Sequence, residues 1–158
     1  MTHDGMWFFH CLTTFGIEET NRINKSAIQS LSQIEIKRIR HILGEEHDLL
    51  TFDRFRRFFQ QASTLVIPEF MNVTFDFPEE NMMTWAFEPG KCFAYTGVKR
   101  LGALDQYECG VLYRVQCWLE ALDINHRFEP VVDKCNMHCN GTCAGTVTLE
   151  FQQAVAGA

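Results

Sequence analysis

Val73-Thr74-Phe75-Asp76-Phe77-Pro78-Glu79-Glu80-Asn81-Met82-Met83-Thr84-Trp85-Ala86-Phe87 is the stretch that decides the fold. Val73, Phe75 and Phe77 alternate with Thr74 and Asp76, and a period of two buries one side of an extended strand. Pro78 ends that strand, since proline brings no N–H to a ladder. The same alternation over 83–87 predicts a second strand, closed by Glu88-Pro89-Gly90. Residues 78–81 between them have hairpin-loop composition.

Upstream the period is helical. Apolar residues over 7–15 predict a short helix that Gly16 ends, glycine being the usual residue at a helix C-terminus. Ile28, Leu31, Ile34, Ile39 and Ile42 then recur at three- to five-residue steps, with Glu35, Lys37, Arg38 and Arg40 turned largely to solvent. Gly44 stops this long helix, and the basic residues near its end suit the helix dipole. Glu45-Glu46-His47-Asp48 reads as a solvated linker, resembling a hard-metal cluster only in composition. Thr51 can cap a third helix whose stripe is Phe52, Phe55 and Phe59.

Downstream, a short helix over 92–101 ends at Gly102, and a second helix runs from 105 to about 122 with Val111, Val115, Trp118 and Leu122 on one face. Strands over 128–132 and 146–151 enclose a cysteine-rich loop. The order predicts an α+β fold: N-terminal helices, then a small antiparallel sheet packed against two further helices. The reading is a single domain over 1–158, with a helical part over 1–66 and the sheet, two helices and cysteine loop over 67–158.

Composition narrows the function. Lys and Arg number 14 against 20 Asp and Glu, a net charge of −6, which argues against nucleic acid or an anionic membrane as partner because both need a positive field. Arg54, Arg56 and Arg57 beside phenylalanines therefore read as one face of an amphipathic helix. No apolar run is long enough to span a bilayer. Met1-Thr2-His3-Asp4-Gly5 lacks a basic n-region and no small-residue cleavage site follows, so the expected location is cytoplasmic, where thiols stay reduced. No Gly-rich phosphate loop, Gly-x-Ser-x-Gly elbow or His-Glu-x-x-His occurs.

The chemistry-bearing feature is the cysteines. Of seven, Cys92, Cys109, Cys117, Cys135, Cys139 and Cys143 all follow residue 91. Cys135-Asn136-Met137-His138-Cys139-Asn140-Gly141-Thr142-Cys143 is a C-x3-C-x3-C run, and its turn-forming Asn136, Asn140 and Gly141 can aim several sulfurs at one centre. Thiolates in a tetrahedron suit Zn²⁺ or an iron–sulfur cluster. Cys92 and Cys109 each lie near a predicted helix start, where the dipole favours a thiolate. The metal candidates are thus Cys92, Cys109, Cys135, Cys139 and Cys143. The competing reading is burial of loop cysteines over a small core. Cys11 and Cys117 read as core, and His126 and His138 as ligands, proton carriers or solvated loop residues.

Met6-Trp7-Phe8-Phe9, Phe15-Gly16, Ile36-Lys37-Arg38-Ile39, Lys91-Cys92, Lys99-Arg100-Leu101-Gly102, Glu108-Cys109-Gly110, Phe128-Glu129-Pro130, Cys135, and Cys143 ahead of Leu149-Glu150-Phe151 together resemble an uncharacterised prokaryotic family. That family is related to L-2-amino-thiazoline-4-carboxylic acid hydrolase-like proteins and, distantly, to the 4-vinyl reductase domain. The resemblance covers most of the chain outside 45–72. It implies a compact α+β domain with a pocket between sheet and helices, near which Cys92, Cys109, Cys135 and Cys143 gather. Cys139 lies outside the family pattern, and 144–148 is longer than the pattern has, so which four of the five sulfurs ligate stays open.

Three functions suit these residues. One is a metal-dependent, hydrolase-like enzyme on a small sulfur- or nitrogen-containing molecule, an activity implied by the resemblance alone. Another is a ligand-binding or sensory module with a structural metal beside an apolar pocket. The third is an accessory subunit of a redox complex carrying an iron–sulfur cluster. The expected partners are a small-molecule ligand or substrate, and either a second copy in a homodimer or a larger complex.

Overall fold

A computed structural model describes residues 3–44, 49 and 51–151. The fold is α+β: a long N-terminal helix, a four-stranded antiparallel sheet, and further helices packed against that sheet.

Helix α1 (His3–Leu43) contains both predicted N-terminal helices. Gly16, at φ 80° and ψ 174°, breaks the helical path between them, and the second helix resumes with no intervening loop. The buried side of the second helix is rotated from the predicted stripe. Ser32, Ile36 and Ile39 face inward, whereas Leu31, Ile34 and Ile42 are exposed. The positions 32, 36 and 39 follow the 3.6-residue repeat more closely than the apolar residues alone do, and small, buried Ser32 interrupts the apolar signal. Glu35 on this helix pairs with Arg114, and it also accepts a hydrogen bond from the Trp118 indole at 3.0 Å.

Helix α2 (Phe52–Val66) starts after Thr51, as predicted, but the Thr51 hydroxyl makes no capping hydrogen bond. Phe55 and Phe59 are buried, and so is Phe58. Phe59 meets Phe75 edge-on at 5.2 Å, and Phe52 meets Phe77 at 6.0 Å, so this helix lies against the first strand through its aromatic rings. Residues 45–48, read as a linker, lie outside the described residues.

Strands β1 (Val73–Asp76) and β2 (Met82–Phe87) form the predicted hairpin, pairing Val73 with Phe87 and Phe75 with Trp85. Helix α3 (Phe93–Arg100) follows. Helix α4 (Gly110–Ala121) begins five residues later than the predicted 105. The intervening chain is taken up by turns, with Gln106 N bonded to Ala103 O and Tyr107 N to Leu104 O. Strand β3 (Asn125–Glu129) starts before the predicted 128–132, and it ends earlier because Pro130 cannot extend the ladder. A single turn of helix, α5 (Asn136–Cys139), stands where a plain loop was expected.

Strand β4 (Ala144–Glu150) inserts between β2 and β3, giving the order β1-β2-β4-β3. Opposed residues of antiparallel strands share a face. The pairings Trp85 with Gly145, Met83 with Val147, Phe128 with Val147 and His126 with Leu149 therefore define one inner face. Met83, Trp85, Phe128, Val147 and Leu149 are buried there beneath the helices. Thr74, Thr84, Thr146, Thr148 and Arg127 take the other face, the usual arrangement of an antiparallel sheet covered on one side. Among the described residues no helix is long and apolar enough to cross a membrane.

Candidate metal centre

Four segments meet at one end of this inner face, and backbone bonds hold them there. Cys109 N donates to Asp133 O at 2.9 Å, and Glu108 forms an isolated antiparallel bridge with Lys134. These contacts lay the segment before α4 against the segment before α5. Gly90 N donates to the Met137 sulfur at 3.4 Å, which ties the turn before α3 to α5. Phe87 N donates to Cys143 O at 2.9 Å, so the end of β2 fixes the residue that precedes β4.

The consequence is that Cys92, Cys109, Cys135 and Cys143 are all buried within one core cluster. Every pairing among the four thiols disfavours ionisation of a partner. Burial is the larger cause. It pushes Cys109 up to about 11 and Cys143 up to about 12, and it raises Cys92 and Cys135 as well. In the metal-free protein at neutral pH the four are therefore neutral thiols.

Local geometry works against that burial. Cys92, Cys109 and Cys135 occupy the N-cap positions of α3, α4 and α5. Backbone N–H groups in each first turn face the sulfur and favour its thiolate: Tyr95 and Ala94 for Cys92, Leu112 and Val111 for Cys109, and His138 and Met137 for Cys135. None of these thiols makes a capping hydrogen bond, so the stabilisation is electrostatic and looser than a cap.

Around the four sulfurs stand further buried polar groups. Tyr107 is buried against them, and its hydroxyl oxygen accepts a hydrogen bond from Gly110 N at 3.0 Å. Burial and then the neighbouring Cys109 thiol push the Tyr107 phenol up, so it stays protonated. Asn21 of α1 holds the approach to Cys109 from outside: its amide donates to Gln106 O at 2.8 Å and its oxygen accepts from Glu108 N at 3.3 Å. The Trp85 indole Nε1 and the Asn136 side-chain nitrogen are buried with no hydrogen-bond partner.

The remaining predicted residues are placed apart. Cys139 is exposed, one helical turn beyond Cys135, whose ionisation it disfavours. Cys117 is buried in α4 and Cys11 is half-buried on α1. His138 Nε2 lies 2.7 Å from Asp105 Oδ1 at the surface, and His126 Nδ1 lies 2.9 Å from Ile124 O. Asp105 also lines a cleft of about 300 Å³ between α1 and the chain after α3, together with Leu12, Ile17, Leu101, Ala103 and Gln106. Tyr107, Trp85 and Asn21 were not among the predicted site residues. Asn21 carries no sequence signal, whereas Tyr107 stands two residues before a candidate ligand.

Soft donors, burial and unpaired N–H groups fit a thiophilic metal. Among the described residues, however, no three of His, Cys, Asp and Glu are already arranged around a point an ion could occupy. An ion would have to draw the thiols inward as it displaced their protons. No family model, curated protein or solved structure matches the chain.

Proposed function

We propose that this chain is a small metalloprotein in which Cys92, Cys109, Cys135 and Cys143 hold Zn²⁺ or an iron–sulfur cluster. One observation carries the reading: four cysteines from four separate segments, spread over more than fifty residues, are buried together while Cys139 is left at the surface. Ordinary core burial gives no reason for every pairing among the four thiols to oppose ionisation. In this reading Cys139 is not a ligand.

A four-thiolate site is closed, which favours a structural or electron-carrying metal over a hydrolytic one with an open position. The ion would clamp the starts of α3, α4 and α5 to the end of the sheet. The chain then serves as a ligand-binding module or as a subunit of a redox complex, in a cytoplasmic setting that keeps the thiols reduced. The cleft beside Asp105 is the place for a small molecule in the first case. A catalytic role on a small sulfur- or nitrogen-containing substrate would instead require an open metal position.

Elemental analysis and absorption spectroscopy of anaerobically isolated native protein test the proposal. The expected result is stoichiometric zinc in a colourless protein, or iron with sulfide in a brown one. A metal-free native protein that binds neither on reconstitution would overturn it.

A further inference from the structure

The proposed centre is asymmetric. Cys92, Cys109 and Cys135 each stand at the N-terminus of a helix, but Cys143 directly precedes β4 and has no helix behind it. A thiolate there needs a different donor.

Sheet geometry supplies one. Trp85 is opposite Gly145, and the Phe87 N–H is bonded to Cys143 O, so Cys143 is the diagonal neighbour of Trp85 on the inner face. Gly145 is what lets the indole lie there: a Cβ at that position would fall 2.5 Å from Trp85 Cη2 and 2.6 Å from Cζ2. Trp85 is 2% exposed, and its Nε1–H has no hydrogen-bond partner. A buried N–H is seldom left unpaired without a reason. The register sets this unpartnered N–H on the same face of the sheet as Cys143, two residues before the glycine that Trp85 opposes.

We propose that the Trp85 indole N–H donates a hydrogen bond to the Cys143 thiolate in the metal-bound protein, replacing the helix N-terminus that this ligand lacks. The inference rests on the four-cysteine reading above. Trp85 is a positioning residue: it orients the sulfur and withdraws charge from it, and such partners of metal ligands contribute substantially to metal retention.

The test uses the full-length chain loaded with Co²⁺, whose thiolate charge-transfer absorption reports the electron density on sulfur. Trp85 is replaced by benzothienylalanine, which keeps the bicyclic shape and puts a ring sulfur with no hydrogen to donate in place of the N–H, and in parallel by Trp85→Phe. The expected result for the analogue is a shifted charge-transfer band and Co²⁺ affinity lowered by about 10–100-fold, with unchanged melting of the metal-free protein. A purely packing role for Trp85 leaves band and affinity where they are in the analogue, and that outcome overturns the proposal. Should Trp85→Phe not fold, the analogue alone decides. Wild-type protein that takes up neither Co²⁺ nor, on reconstitution, an iron–sulfur cluster refutes the four-cysteine centre and this role with it; uptake with an indifferent analogue refutes only the role of Trp85.

Discussion

Gly145 faces Trp85 across β2 and β4 at a distance that leaves no room for a methyl group. A Cβ on residue 145 would come within 2.3 Å of Glu129 O as well as 2.5 Å of the indole. The indole could swing away, but the Glu129 carbonyl belongs to the adjoining strand and cannot move without breaking the β3–β4 ladder. Gly145→Ala is therefore expected to destabilise the protein by about 1–3 kcal/mol, the usual range for overpacking. Urea unfolding of the two proteins checks this, and an unchanged midpoint would show that the strands are not so closely packed.

Asn21 fastens α1 to the segment leading into Cys109. Asn21→Ala leaves the Gln106 carbonyl and the Glu108 N–H without their partners, a loss of about 1–3 kcal/mol when such groups are buried. Unfolding experiments should register that loss, and hydrogen exchange at Glu108 should accelerate. Asn21→Asp keeps the acceptor for Glu108 N but sets a buried carboxylate oxygen against the Gln106 carbonyl, so it is expected to be no more stable than Asn21→Ala.

The sheet and most helices were legible because their apolar residues repeat with the right period. Val73 and Phe75, alternating with Thr74 and Asp76, mark strand β1 directly. Asn125, His126 and Arg127 show no such alternation on the edge strand β3, and its start was missed for that reason. The sequence carries no local mark of the bridge between Glu108 and Lys134, which leaves Cys109 extended and delays the helix predicted from 105 to Gly110. Cys92 and Cys109 were recognisable near helix starts. Their meeting with Cys135 and Cys143 depends on β4 entering between β2 and β3, a long-range event that spacing alone does not encode. Trp85 was readable as a strand residue, not as a donor, since its role exists only once Gly145 lies opposite.

Alkaline pH offers a check on the thiols in metal-free protein. The folded chain holds the protons of Cys109, to about 11, and of Cys143, to about 12, more tightly than an unfolded chain whose thiols titrate near the ordinary 9.0. Between these values the unfolded state binds fewer protons, so stability falls as pH rises. The expected result is full stability below about pH 8, with progressive loss through the folded values as pH climbs. Unfolding free energies that stay level across that window would place the thiols in a more solvated setting.

Single serine replacements separate ligands from bystanders. Cys92→Ser, Cys109→Ser, Cys135→Ser and Cys143→Ser are each expected to strip metal and lower the melting temperature. Cys139→Ser and Cys11→Ala should keep full metal content. Loss of metal in Cys139→Ser with retention in Cys143→Ser would move the centre into the surface turn of α5.

The most direct measurement is X-ray absorption at the metal edge of the anaerobically isolated native protein. The four-cysteine centre predicts a shell of four sulfur scatterers, at about 2.3 Å if the metal is zinc. A shell dominated by nitrogen or oxygen, or a native protein with no bound metal, would contradict it.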